Sequence, residues 1–214
     1  AYIQGTSAGL ASLLLAPEAN MDVLDLASAP GGKTAHLASL MQNTGSITAL
    51  DISKKRLELV AENLKRLGVT NVSLKEVDAA QFNEQMKYDK ILADLPCSGL
   101  GLIASKPEIK WKKDKNLIDK MSKLQYRILT NNLDKLKVGG ELLYSTCTLA
   151  YAENQNLINK ILSENHNFKL IDLNQRLKKV SSLKLESENN YLEILPGEVE
   201  SEGFFYALLK KIGE

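Results

Sequence analysis

The chain of 214 residues contains two cysteines, and each follows an apolar run that would form a buried strand. Cys97 comes after Pro96 in the segment DLPCSGLG, and Cys147 comes after Thr146 in YSTCTL. Taken alone, a free cysteine most often serves as a small buried hydrophobe. Its thiolate, however, is a strong nucleophile. Two thiols placed alike at the ends of two strands therefore favour a functional pair over two unrelated core residues.

A second group of candidate residues lies in the segment LDLASAPGGKT. This pattern is typical of a strand, a tight turn and a helix start, and its glycines let a ligand approach the backbone closely. Asp51 comes 20 residues after Gly31, at the end of the next predicted strand, where an acidic side chain accepts hydrogen bonds from ribose hydroxyls. Asp78 ends a third predicted strand and is placed to accept from the exocyclic amine of adenine. The pattern indicates a nucleoside site.

Three ligands compete for this site. A phosphate-binding P-loop would need glycine six residues before Lys33, where the chain has Ala27. A nicotinamide cofactor would favour three glycines around its pyrophosphate, and Ala29 and Pro30 interrupt that pattern. S-adenosylmethionine carries no phosphate, needs the ribose carboxylate and tolerates the looser turn. We therefore expect S-adenosylmethionine as the cofactor.

The elements that must position these residues alternate along the chain. Apolar runs predict strands at 22–27, 46–50, 72–77, 90–95, 141–147 and 204–210. Helices are predicted after Gly31–Gly32 to about Met41, over 57–67, 117–136 and 152–165, with Gly68 and Gly139–Gly140 as helix ends. This order predicts an α/β fold, a mostly parallel sheet with helices on both faces. Ligands of such sheets bind beyond the carboxyl ends of the strands. The residues that fall there are Asp25, the 27–33 loop, Asp51, Asp78, Asp94 and both cysteines.

The composition is that of an ordinary soluble protein, with 44% hydrophobic and 25% charged residues. The length predicts one domain over 1–214, and the absence of an initiator Met suggests a fragment of a longer chain. No apolar run reaches the roughly 18 residues of a membrane span, and no signal peptide is recognisable. Two cysteines form no disulfide framework, so we expect a reducing cytoplasm. With two distant histidines, the chain has no compact zinc signature, and we expect no metal.

The charges are unevenly distributed. Between residues 103 and 127 there are eight basic and three acidic residues, whereas 186–202 holds six glutamates and no Lys or Arg. The basic segment is either a phosphate-facing patch or a solvated helix face. Trp111, the only tryptophan, is equally compatible with stacking on RNA bases and with packing into the core. The predicted RNA-binding residues are Lys106, Lys110, Trp111, Lys112 and Lys113.

Five segments in this order resemble the Sun/Fmu (RsmB-type) RNA cytosine-5 methyltransferases. They are APGGKT (29–34), DLPCSGLG (94–101), KPEIKW (106–111), YSTCTL (144–149) and EGFFYALL (202–209). The resemblance covers nearly the whole chain and implies the Rossmann-like, seven-stranded methyltransferase fold. It implies methylation of carbon 5 of cytosine in RNA, with ribosomal RNA favoured over transfer RNA. Family members usually carry an RNA-binding extension, which is not visible in this chain.

The resemblance also implies roles for individual residues. It places S-adenosylmethionine on Ala27, Ser28, Ala29, Pro30, Gly31, Gly32, Lys33, Asp51, Asp78 and Asp94, and we add Arg56 to this predicted set. It makes Cys147 the nucleophile and Cys97 the residue that assists product release, while Asp94 would bind the cytosine ring. DNA cytosine-5 methyltransferases use the cysteine of their Pro-Cys motif, so Cys97 remains the alternative nucleophile. A non-catalytic, RNA-binding module with the same fold is the competing function, and a monomer is the expected state.

Overall fold

The structure is a computed structural model that describes residues 3–109, 115–199 and 201–214. Its centre is a sheet of eight strands: β1 (Asp22–Asp25), β2 (Ser46–Asp51), β3 (Val72–Glu76), β4 (Tyr88–Asp94), β5 (Leu136–Thr146), β6 (Phe168–Ile171), β7 (Tyr191–Ile194) and β8 (Phe204–Lys211). The strand order is β3-β2-β1-β4-β5-β8-β6, and β7 also pairs with β8. The first five strands are parallel to one another, whereas β8 is antiparallel to β5, β6 and β7. The predicted α/β fold with a mostly parallel sheet is confirmed.

The helices cover both faces of this sheet. They are α1 (Thr6–Leu15), α2 (Gly32–Leu40), α3 (Lys54–Arg66), α4 (Lys115–Asn132), α5 (Gln155–Glu164) and α6 (Asn174–Leu177). One core contains apolar residues of α4 and α5, and a second core on the other face contains those of α1, α2 and α6. Among the described helices, none is long and apolar enough to cross a membrane.

Helix α3 shows how local sequence produces these elements. The Ser53 hydroxyl accepts a hydrogen bond from the Arg56 amide and caps the helix start. Leu57, Val60 and Leu64 recur at helical spacing and are buried. Gly68 follows the helix with a φ of +70°, a left-handed conformation that glycine adopts without strain. The predicted end of this helix is therefore in the right place.

One predicted boundary was wrong. The glycine pair Gly139–Gly140 was expected to end a helix over 117–136, but α4 already ends at Asn132 and β5 begins at Leu136. The Asn132 side-chain amide donates to the carbonyls of Ile128 and Ala79, at 2.7 and 2.8 Å, so a side chain rather than a glycine satisfies the helix terminus. The glycines instead lie in β5, where the pairing with β4 shifts register.

The parallel pairing aligns the strand ends that carry the candidate residues. Asp25 pairs with Ala49 of β2 and Leu92 of β4, while Asp94 at the end of β4 pairs with Ser145 of β5. Cys97 comes three residues after Asp94, and Cys147 two residues after Ser145. The register of β4 and β5 therefore brings together two cysteines that are 50 residues apart.

Candidate active site

The two thiols are in direct contact. The Sγ atoms of Cys97 and Cys147 lie 3.0 Å apart, and both cysteines are partly exposed and free. This separation is well beyond the roughly 2.05 Å of a covalent S–S bond. One thiol is therefore placed to donate a hydrogen bond to the other.

A backbone clamp fixes the loop of each cysteine. The Gly101 amide donates to the Cys147 carbonyl, and the Gly203 amide donates to the Gly101 carbonyl, both at 2.9 Å. A Cβ atom at position 101 would lie 2.1 Å from the Gly203 carbonyl oxygen, so the three segments pack as closely as glycine allows. Gly101 of the segment DLPCSGLG and Gly203 of EGFFYALL therefore hold the two cysteine loops together.

Lys33 and Asp94 form an ion pair beside the thiols. Lys33 Nζ lies 2.7 Å from Asp94 Oδ2, and the Ser145 hydroxyl donates to Asp94 Oδ1, also at 2.7 Å. Burial alone would lower the pKa of Lys33, but the charge of Asp94 and the hydrogen bond to it outweigh burial and raise that pKa. Lys33 therefore remains a cation near Cys147.

The surroundings polarise the thiol pair. The pKa of Cys147 is lowered, first by the hydrogen bond from Cys97 and further by its own backbone amide and the charge of Lys33, against burial and Asp94. The pKa of Cys97 is raised by that hydrogen bond to Cys147, by burial, by the charge of Cys147 and by Glu153. These opposite pKa directions favour a thiolate on Cys147 and a proton on Cys97.

Beside Asp94 lies a cavity of about 300 Å³. Six of the predicted cofactor-binding residues line it: Ala27, Ala29, Asp51, Arg56, Asp78 and Asp94. The buried Asp51 carboxylate accepts from the Ser53 amide at 3.0 Å and faces Arg56 Nη1 at 3.4 Å. Asp78 accepts from the Ala80 amide at 2.9 Å.

The charged residues that line this cavity suit a nucleoside with a cationic group better than a phosphate. Three carboxylates face it, and among its lining residues in the described chain Arg56 is the one cation. Carboxylates accept from hydroxyl and amino groups and stabilise positive charge, but they repel phosphate. Gly31, with a φ of +100°, carries the loop past Val60, where a Cβ would lie 3.1 Å from the Val60 side chain. These residues fit S-adenosylmethionine.

The other predicted cofactor residues shape the loop and do not line this cavity. Ser28 is buried and donates to the Leu50 carbonyl, and the Pro30 carbonyl accepts from Asn63. Gly32 opens α2 and borders a separate cavity of about 750 Å³ between α1 and α2. Gly31 and Lys33 act as described above. The Ala27–Lys33 segment is therefore partly ligand-facing and partly structural.

Sequence reasoning missed several residues around this centre. Leu124 and Ile128 of α4 close one side of the cavity, and the exposed Ile52 lies at its mouth. Asp25 is buried, accepts from the Thr34 hydroxyl at 2.7 Å, and burial raises its pKa to about 6. An apolar helical pattern gives no sign of which residues face a ligand, so Leu124 and Ile128 could not be recognised. Asp25, by contrast, was expected at this edge of the sheet because it lies near the end of a predicted strand.

The predicted RNA-binding residues are only partly within the described chain. Lys106 is exposed, on the segment that follows the Cys97 loop. Lys110, Trp111, Lys112 and Lys113 lie outside the described residues. Among the described residues, no group of three or more His, Cys, Asp or Glu side chains is arranged to hold a metal ion.

Known proteins are similar to this chain in sequence and in architecture. The family model described as "16S rRNA methyltransferase RsmB/F" matches residues 12–210. "Ribosomal RNA small subunit methyltransferase B" of Shewanella oneidensis is 37% identical over 214 residues, which is 99% of this chain and 48% of that protein. "tRNA (cytosine(72)-C(5))-methyltransferase" of Pyrococcus horikoshii is 34% identical over 212 residues, 99% of this chain and 52% of that protein.

A solved structure described as NSun6 from Pyrococcus horikoshii with SFG has a TM-score of 0.86 and 33% identity, covering 100% of this chain and 53% of that one. The chain thus spans about half the length of the curated relatives it matches. Because the family model covers nearly the whole chain and the resemblance is confirmed by these relatives, the chain belongs to the RsmB/F family of 16S rRNA methyltransferases.

Proposed function

We propose that the chain is the single catalytic domain of an S-adenosylmethionine-dependent RNA cytosine-5 methyltransferase, with ribosomal RNA as its substrate. One observation carries this proposal: two free thiols in contact beside a carboxylate-lined cavity that fits the cofactor. Ribosomal RNA is favoured by the description of the family and by the name of the Shewanella protein. The archaeal relative with a transfer RNA name supplies the alternative substrate.

The first step of the proposed mechanism belongs to Cys147. Carbon 5 of cytosine is a weak nucleophile, and addition of the Cys147 thiolate to carbon 6 moves an electron pair of the ring toward carbon 5. Lys33 and the hydrogen bond from Cys97 stabilise that thiolate before attack. Asp94, held by Lys33 and Ser145, is placed to bind the polar edge of the ring as its charge changes.

When bound, S-adenosylmethionine supplies an electrophilic methyl group on a sulfonium. Asp51 and Asp78 would hold its ribose and adenine groups, and the carboxylates of the cavity would favour its positive charge. After carbon 5 has gained the methyl group, its proton passes to water and the C5–H electron pair restores the C5–C6 double bond. The C6–S bond breaks with its electron pair on Cys147. Cys97, in contact with the Cys147 sulfur, is the residue placed to assist this release.

Purified protein incubated with labelled S-adenosylmethionine and separate pools of ribosomal and transfer RNA tests the proposal. We expect label in ribosomal RNA, at cytosines that resist bisulfite conversion. Label only in transfer RNA would show that transfer RNA, not ribosomal RNA, is the substrate. Cofactor binding without methyl transfer to any RNA would support the non-catalytic RNA-binding module instead.

We also propose that the protein acts as a monomer in the cytoplasm. Unpaired thiols in contact require a reducing compartment, because oxidation would join them and remove the nucleophile. The exposed large hydrophobic side chains of the described residues lie on different elements and so offer no obvious subunit interface. Sedimentation velocity of the purified chain tests the monomer, and a dimer at micromolar concentration would refute it.

A further inference from the structure

A buried Glu–Asn pair lies between the loops of the two cysteines. Glu153 and Asn154 stand just before α5, and both are fully buried. Glu153 Oε2 accepts from the Ser98 amide at 3.0 Å and from Gln125 Nε2 at 2.8 Å. The same Gln125 amide donates to the Pro96 carbonyl at 2.9 Å. Glu153 thus holds the residues on both sides of Cys97.

Asn154 holds the other cysteine in the same way. Its Oδ1 accepts from the Thr146 hydroxyl at 2.7 Å, and its Nδ2 donates to the Thr148 carbonyl at 2.9 Å. The hydroxyls of Thr148 and Ser98 share a hydrogen bond of 2.8 Å, which links the two loops directly. Two adjacent residues therefore anchor the neighbours of both thiols.

We propose that Glu153 and Asn154 are positioning residues that hold Cys97 and Cys147 in contact, and that the Glu153 carboxylate beside the Cys97 loop makes the two thiols differ in reactivity. The consequence for methyl transfer rests on the function proposed above, whereas the positioning itself does not. The negative charge of Glu153 contributes to raising the pKa of Cys97, after the larger effects of its hydrogen bond to Cys147, burial and the charge of Cys147. When Cys97 keeps its proton, the negative charge of the thiol pair lies on Cys147, the proposed nucleophile.

A carboxylate at this position is unfavourable for packing alone. Glu153 Oε1 and Gln125 Oε1 are both buried without a hydrogen-bond partner in the described part of the chain. Burying a charge with half of its hydrogen bonds unmade costs folding free energy. A glutamine at 153 could keep the contacts to Ser98 and Gln125 without carrying a charge. A purely structural contact would therefore be served at least as well by glutamine.

Two variants separate the roles of charge and contact. Glu153→Gln keeps an acceptor for the loop and removes the charge, while Glu153→Ala removes both. The same change at the exposed Glu62 of α3, Glu62→Gln, is the matched control. The first measurement is the initial rate of iodoacetamide labelling of each cysteine across pH, resolved by mass spectrometry. The second is the rate at which diamide joins the two thiols.

We expect Glu153→Gln to fold as stably as the parent, to form the disulfide at the parental rate, and to shift labelling of Cys97 several-fold upward at neutral pH. Glu153→Ala should slow disulfide formation several-fold, because the loop of Cys97 loses its anchor. Gln125→Ala, which removes the donor to Pro96, should slow it as well and replaces Glu153→Ala if that variant does not fold. The Glu62 control should match the parent throughout.

Other results overturn the proposal. Parental labelling of Cys97 in Glu153→Gln refutes the role of the charge, and parental disulfide rates in Glu153→Ala and Gln125→Ala refute the role in positioning. A loss of stability in Glu153→Gln with unchanged thiol reactivity would make the residue structural only. Neither assay needs RNA or cofactor, so the parent's failure to methylate RNA would refute the proposed function and leave this test intact.

Discussion

Replacing Gly101 by alanine should disrupt the clamp that fixes Cys147. The added Cβ would lie 2.1 Å from the Gly203 carbonyl oxygen, 2.7 Å from its carbon and 2.9 Å from the Cys147 carbonyl oxygen. All three atoms belong to the backbone, so the segments must separate. Two hydrogen bonds are then lost, each worth about 1 kcal/mol, and overpacking adds about 1–3 kcal/mol. We expect Gly101→Ala to lower the free energy of unfolding by about 3–5 kcal/mol.

Urea unfolding and the rate of RNA-adduct formation measure this change. For a chain of this size, each kcal/mol corresponds to about 2–4 °C in Tm, so Tm should fall by about 6–20 °C. Gly9→Ala, within α1, is the matched control, because its Cβ would lie 3.8 Å from the Gln4 side-chain oxygen, an ordinary contact distance. There alanine should stabilise the helix by about 0.5–1 kcal/mol. If Gly101→Ala unfolds like the parent and forms the adduct at the parental rate, the clamp has no role.

Five further substitutions test other parts of the protein. Cys147→Ala should abolish methyl transfer and form no covalent RNA complex, whereas Cys97→Ala should accumulate one on a denaturing gel; the reverse pattern would exchange their roles. Asp51→Ala should weaken S-adenosylmethionine binding by roughly 1.5–3 kcal/mol in calorimetry, and unchanged affinity would remove Asp51 from the cofactor site. Because the pKa of Asp25 is raised from 3.8 to about 6 in the folded protein, its stabilising contribution is complete below pH 3.8 and is lost as pH rises through 6, by roughly 3 kcal/mol. Asp25→Asn should flatten that part of the stability curve, and an unaltered slope would contradict the burial argument. If Lys106 contacts a phosphate, Lys106→Ala should reduce the slope of log binding constant against log salt concentration by about 0.7. An unchanged slope would show that Lys106 is a solvated surface residue without a phosphate contact.

The strand ends could be predicted from the sequence because an apolar run followed by an aspartate or a cysteine is a local pattern. It can be recognised without knowing which distant residues pack against it. Asp51, Asp78 and Asp94 do line one cavity, as the parallel-sheet argument requires. The short elements β6, α6 and β7, each of four residues, carry too little periodicity to be recognised.

The polarity of the thiol pair could not be read from the sequence. The pKa directions of the two thiols depend first on the hydrogen bond between them, and to a smaller extent on the charges of Lys33 and Glu153, which come from different elements. Glu153 itself looks like an ordinary acidic residue before a helix, since its charge is typical of a solvated helix start. Only the folded structure shows that Glu153 accepts a hydrogen bond from the Ser98 amide, next to Cys97.

The position of β8 has a consequence for how the protein folds during synthesis. This strand follows the other seven strands of the described residues, yet it lies between β5 on one side and β6 and β7 on the other. Until it has left the ribosome, the outer edge of β5 lacks its partner, and Gly203, which precedes the strand, cannot clamp Gly101. Contacts between segments so distant in the chain form slowly. We therefore expect a nascent chain that stops before Phe204 to remain open at this edge, where chaperones bind and aggregation begins.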